Sequence, residues 1–165
     1  MDLPLRWVGV PSGPHNVHEQ LPTRLDVEVH LGVRASDAAT LFSFVDDIVA
    51  DGKRIRNGAV AQQLALRQTR SGTALGRGVV VPHAAVRRLP HARLIYVRLQ
   101  AAIDMDTPDH EPVRDALTLL VRYPPSPADH ALLERIRDPH MNPVLIDLLR
   151  QGLCAEAVAR LANPA

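Results

Sequence analysis

A single cysteine, Cys154, rules out an intramolecular disulfide and points to a reducing compartment. Aromatic residues make up only 3% of the chain, too few for a platform on which nucleic-acid bases stack. Neither sign of charge is in excess: 19 basic against 18 acidic residues leave a net charge of +1, which gives no support for nucleic-acid binding. Lysine is nearly absent, Lys53 being the only one, so arginine carries almost all the positive charge. No apolar run approaches the roughly 18 residues of a membrane span. The first residues, with Asp2, Pro4 and Arg6, lack the basic-then-apolar pattern of a signal peptide, and a cytoplasmic protein without a membrane span is expected. The eight histidines form no metal-ligand pair at helical or strand spacing outside the N-terminal segment. There His15 and His18 stand three apart without further ligands, so no metal is expected.

What is present fits one domain of 165 residues. Residues 1–23, with four prolines and no sustained period, read as an extended or partly disordered lead-in to a domain over 24–165. Val27, Val29, Leu31 and Val33 alternate with Asp26, Glu28, His30 and Gly32, the pattern of a half-buried strand with His30 on its polar face. Ser36 is the expected N-cap of a helix carrying Leu41, Phe42, Val45 and Val49 inward, stopped by Asp51-Gly52. Asp46 and Asp47 point about 100° apart on that helix, which places them on a solvated face. A second helix is expected from Asn57 to about Arg67, strands over Ala92–Gln100 and Pro112–Arg122, and helices after Asp129, around Leu145 and from Cys154. The loop at 101–111 holds three aspartates but lacks the glycine and glutamate of an EF-hand. Helices alternating with apolar strands predict a single α/β domain, a mixed, mostly parallel sheet with helices on both faces.

The chemistry concentrates between Arg67 and His83. Gly72, Gly76 and Gly78 break the helical pattern, and Val79, Val80 and Val81 form a short apolar strand. Pro82, with no N–H for the ladder, ends that strand and presents His83 just beyond the sheet edge. A glycine loop with Thr73 and Arg77 can aim N–H donors at an anion, and a neutral imidazole can attack phosphorus. The loop is not a Walker A loop, which needs Gly-Lys-Ser/Thr, nor a dinucleotide fingerprint, because its glycines precede the strand.

Arg67, Thr73, Leu75, Gly76, Gly78, Val81, Pro82 and His83 resemble the active-site motif of the mannitol/fructose-type enzyme IIA domains of the bacterial phosphoenolpyruvate-dependent phosphotransferase system, nitrogen-regulatory members included. Glu111-Pro112-Val113 and His130-Ala-Leu-Leu resemble two further family segments, and the resemblance covers about residues 25–160. It implies that His83 accepts a phosphoryl group from a small histidine-containing phosphocarrier protein without a cofactor. It also implies that Arg67 and Thr73 hold the phosphoryl oxygens beside Gly76 and Gly78, and that His130 donates a hydrogen bond next to His83. The partners it implies are that carrier and either regulatory target proteins or an enzyme IIB. Departures from the pattern include Gln68 in place of glutamate, Gly72 in place of serine, Val80-Val81 in place of Ala-Ile, and Ala74 and Ala84 in place of glycines. A left-handed backbone at Ala74 would cost on the order of 1 kcal/mol. The alternatives to a free regulatory phosphocarrier are a sugar-specific enzyme IIA and a binding module that keeps the fold without the chemistry. Arg77, Arg87, Arg88 and Arg93 are expected to make the rim of the site basic.

Overall fold

A computed structural model describes residues 5–9, 21–22, 24–70 and 72–163. At its centre β2 (Leu25–Val33), β6 (Ala92–Ile103) and β7 (Val113–Arg122) lie side by side. Around them the sheet takes in β1 (Leu5–Gly9), β3 (Ala74–Gly76), β4 (Val79–Val80) and β5 (His83–Val86). The order is β1-β2-β6-β7-β4-β3, with β5 also paired to β7. β2–β6, β4–β7 and β5–β7 run parallel, while β1–β2, β3–β4 and β6–β7 run antiparallel. Helices α1 (Ala38–Val49) and α2 (Ala59–Arg70) precede the site, and α3 (Pro127–Arg137), α4 (Met141–Arg150) and α5 (Cys154–Ala162) follow β7. No described helix is long and apolar enough to cross a membrane.

Both faces of the sheet are covered, which is why β7 reads as an unbroken apolar run rather than an alternation. Leu117 and Leu119 face the layer that contains Leu132, Leu145 and Leu161 of α3, α4 and α5. Ala116 and Leu120 face the layer that contains Leu41 and Val45 of α1 and Val60 and Leu64 of α2.

Several expectations are corrected. β1 is a strand inside the segment read as a lead-in, and its arginine changes the character of β2. The polar face of β2 is not solvated: Asp26 is 2% exposed and Glu28 4%. Arg6 of β1 and Arg24 pair with Asp26, and Arg93 and His30 pair with Glu28. Burial raises the proton affinity of Glu28, but bonds from His30 and Arg93 outweigh it and hold the carboxyl below its ordinary range. Arg93 therefore lies in the sheet and not on the rim of the site.

The N-cap of α1 is Asp37, whose Oδ1 accepts from Thr40 N at 2.8 Å, and Ser36 instead meets Thr40 Oγ1 at 3.2 Å. Asp47 is exposed as expected, but Asp46 is 3% exposed and points inward. Its carboxylate accepts from Gly58 N (2.8 Å), Val60 N (2.8 Å) and Ala61 N (3.0 Å), capping α2 from a neighbouring helix. Asn57-Gly58 forms a turn, so α2 begins at Ala59 and continues past Arg67 to Arg70. α3 begins before His130, with Ser126 and Asp129 closing a capping box and Pro127 in its first turn.

Candidate functional site

Two peptide segments place His83. β4 and β5 form one line along β7, for Val80 pairs with Ala116 and His83 with Leu119, three residues on in both strands. Pro82 interrupts this line without shifting its register, and its carbonyl still accepts from Leu119 N at 2.9 Å. His83 is thus the first residue of β5, 9% exposed, and not a residue presented beyond the sheet. The reason is that a proline removes one donor but leaves the parallel pairing on either side intact.

The ring of His83 is held at both nitrogens. Nδ1 lies 2.9 Å from the Val81 carbonyl, which only accepts, so Nδ1 carries the proton. Nε2 accepts from Arg67 Nε at 3.0 Å, and a guanidinium only donates, so Nε2 keeps its lone pair. Burial lowers the basicity of the imidazole most, and the positive charges of Arg67 and Arg137 lower it further against the opposing bond to Val81. The ring is therefore held as a neutral imidazole whose lone pair is on Nε2.

Thr73 is buried beside this histidine. Its carbonyl accepts from Val81 N at 2.9 Å, and its hydroxyl donates to Gln68 Oε1 at 2.6 Å. Gln68 thus occupies the family's glutamate position as a hydrogen-bond acceptor. Ala74 lies in β3 and Ala84 in β5, and neither has a positive φ, so neither alanine carries the expected cost. The left-handed positions are Gly76 (φ 88°), Arg77 (φ 56°) and Gly78 (φ 78°), the last two forming the turn of a β3–β4 hairpin. Contacts of this turn run to the loop before β7. Arg77 N donates to Asp109 Oδ2 at 2.9 Å, and a Cβ on Gly78 would lie 3.0 Å from Pro112 O.

His130 stands in the first turn of α3 with its side chain exposed. Among the described residues no hydrogen bond joins it to His83. The same helix carries Arg137, two turns on, whose charge acts on His83. That role of Arg137 was not foreseen, although its spacing from His130 puts both on one side of α3. Arg67 and His83 are thus in direct contact, Thr73 is tied to the backbone of Val81, Gly76 and Gly78 shape the hairpin, and His130 is exposed on α3. Among the described residues no three His, Cys, Asp or Glu side chains converge on a metal position. His15 and His18 lie outside the described residues.

Comparison with known proteins places the chain in a family and shows the fold in solved structures. Residues 26–161 match the family described as the phosphoenolpyruvate-dependent sugar phosphotransferase system, EIIA 2. No curated protein matches the sequence. The fold is similar to the nitrogen regulatory protein IIA-Ntr from Neisseria meningitidis, with 21% identity, a TM-score of 0.61, and 76% of this chain and 92% of that one covered. It is also similar to IIA mannitol from Escherichia coli, with 16% identity, a TM-score of 0.55 and coverage of 76% and 94%. A putative PTS IIA domain from Streptococcus pyogenes matches with 17% identity, a TM-score of 0.54 and coverage of 81% and 89%. The family match spans most of the domain and includes the whole Arg67–His83 segment, so this chain belongs to the EIIA 2 family of the phosphoenolpyruvate-dependent sugar phosphotransferase system.

Proposed function

We propose that the protein is a phosphocarrier that accepts a phosphoryl group on Nε2 of His83 from the phosphohistidine of a small histidine-containing phosphocarrier protein, and that its phosphorylation state decides which regulatory targets it binds. The observation that carries this reading is the fixed tautomer of His83, with the Nδ1 proton on Val81 O and a cationic donor 3.0 Å from the Nε2 lone pair. In the transfer, the donor's N–P bond breaks and its nitrogen keeps the electron pair while the His83 Nε2–P bond forms. The Nδ1 proton stays on the ring, and the Val81 carbonyl shares the positive charge that develops there. Arg67 moves from the lone pair to the phosphoryl oxygens, where its fork matches them. The Thr73 hydroxyl turns from Gln68 Oε1 to supply a second donor, Gly76 and Gly78 fix the hairpin that holds it, and His130 turns in from α3 to donate a third. Because the transition state spreads negative charge over equatorial oxygens, these donors and the alignment supply most of the catalysis.

A phosphohistidine brings roughly two negative charges beside Arg67 and Arg137, enough to change which surfaces dock there. The test is intact-mass spectrometry after incubation with phosphoenolpyruvate, enzyme I and the carrier protein, with His83→Ala alongside. One acid-labile phosphoryl group, absent from His83→Ala, is expected. No gain with carriers that phosphorylate related domains would refute the reading and leave a binding module. Passage of the group to an enzyme IIB, measured in the same way, would identify a sugar-specific member instead of a regulator.

A further inference from the structure

A groove of about 590 Å³ lies between the N-terminal turn of α2 and the end of β5. Arg54, Arg56, Arg87 and Arg88 line it together with Gln62 and Gln63, and no lining residue is acidic. Among the described residues no hydrogen bond or ion pair engages the side chains of Arg54, Arg56 or Arg88. Arg87 is held over the exposed Tyr123 ring, 4.5 Å from its centroid. The nearby carboxylate of Asp51 is spent on the backbone N–H groups of Lys53, Arg54 and Ile55. Elsewhere the buried carboxylates Asp26, Glu28 and Asp115 all pair with arginines. In a chain of net charge +1, four exposed guanidiniums around one concavity without a counter-charge make a local concentration of positive charge that favours an anion.

Arg88 adopts φ 65° in the turn that leaves β5, a left-handed conformation shared with Arg77, Asp106 and His110 that glycine would take at less cost. The groove adjoins the proposed phosphoryl site, with Gln63 one turn before Arg67 in α2 and Ala85 two residues after His83 in β5, but neither Arg67 nor His83 lines it.

We infer that this groove binds a small oligophosphate ligand, the four arginines taking successive phosphate groups and the glutamine amides the remaining oxygens. Guanidinium forks fit phosphate oxygens two at a time, and several in a concavity select a phosphate chain over a single phosphate. The exposed Tyr123 ring offers a stacking surface if the chain carries a nucleobase, so a nucleoside polyphosphate and an inorganic polyphosphate are its two sources.

The experiment is calorimetric titration of the full-length protein at low salt with ATP, inorganic tripolyphosphate, orthophosphate and a glutamate-rich peptide. Saturable binding of ATP or tripolyphosphate is expected, with orthophosphate weaker by at least about tenfold because it meets fewer arginines. ATP tighter than tripolyphosphate assigns the ligand to nucleotides, and equal affinity assigns it to the phosphate chain alone. Arg88→Gly removes the left-handed strain, so it keeps the fold, yet it should weaken binding by about tenfold, as should Arg54→Ser. His83→Ala should bind as well as the parent, so this outcome is independent of phosphoryl transfer. No saturable binding of ATP or tripolyphosphate, equal affinity for orthophosphate, an unchanged affinity in Arg88→Gly, or binding of the peptide alone would each overturn the inference.

Discussion

Asp46 gives the sharpest quantitative test of how this fold holds its site. Its two carboxylate oxygens accept from three backbone N–H groups at the start of α2, and the residue is 3% exposed. Asp46→Ala leaves those donors unpaired in a site too enclosed for water to replace the carboxylate freely. A lost cap costs about 1–2 kcal/mol, and hydrogen bonds to a charged acceptor are worth more than neutral ones, so about 3 kcal/mol is expected. For a domain of this size that lowers Tm by about 6–12 °C. Asp46→Asn keeps one acceptor for Val60 and Ala61 but turns an amide donor toward Gly58 N, so about 1–2 kcal/mol is expected. Urea unfolding of the three proteins, read as a shift in midpoint at constant m, measures both values. A change below about 0.5 kcal/mol for Asp46→Ala, the scale of an ordinary surface substitution, would refute the capping role and return Asp46 to a solvated face.

Arg67→Ala, which removes the donor on Nε2, should slow single-turnover phosphorylation of His83 by about 10²–10³-fold, the cost of losing one preorganised donor at a charged transition state. NMR titration should find the His83 midpoint below its ordinary value of 6.5, and Arg67→Gln should raise it only part of the way, because burial is the larger cause. Since the folded state holds that proton less well than the unfolded state, the contribution of His83 to stability should fall as pH drops below 6.5 towards the folded midpoint, a slope that His83→Gln removes in urea unfolding. Gly78→Ala places a methyl 3.0 Å from Pro112 O at φ 78° and should lower stability by about 1–2 kcal/mol, whereas Gly72→Ala, with nothing within 4 Å, should be far milder in the same assay.

The parts of the fold legible in the sequence are those where local pattern and burial agree. The helical spacing of Leu41, Phe42, Val45 and Val49 and the unbroken apolar run of β7 each have one structural solution. The polar residues were harder to place because their burial depends on partners far along the chain. Asp26 and Glu28 read as solvent-facing by alternation, yet Arg6 from β1 and Arg93 from β6 close over them. Asp46 reads as a helix surface residue, and only the approach of α2 reveals its donors. For the site, the Gly-x-Gly and Pro-His spacing marked His83 and the resemblance added Arg67, and their side chains lie 3.0 Å apart. The burial of His83 was not visible, since a proline in sequence does not reveal whether pairing resumes beyond it.

That resumption explains why the histidine is buried although it stands at a sheet edge. β3 pairs with β4 only as far as Val80, and the last link across the hairpin is Val81 N to Thr73 O. From His83 onward, β5 pairs with β7 on one side and with no described strand on the other. The sheet edge therefore opens at His83. α2 approaches that edge from one face of the sheet with Arg67, and α3 belongs to the layer on the other face and brings Arg137. An open edge invites strand addition from another chain, and the arginines at its far end, Arg87 and Arg88, are the kind of charged residue that opposes it. The interruption at Val81-Pro82 thus separates two tasks along one strand. β4 anchors the hairpin that holds Thr73, and β5 sets a buried histidine at an edge flanked by charge.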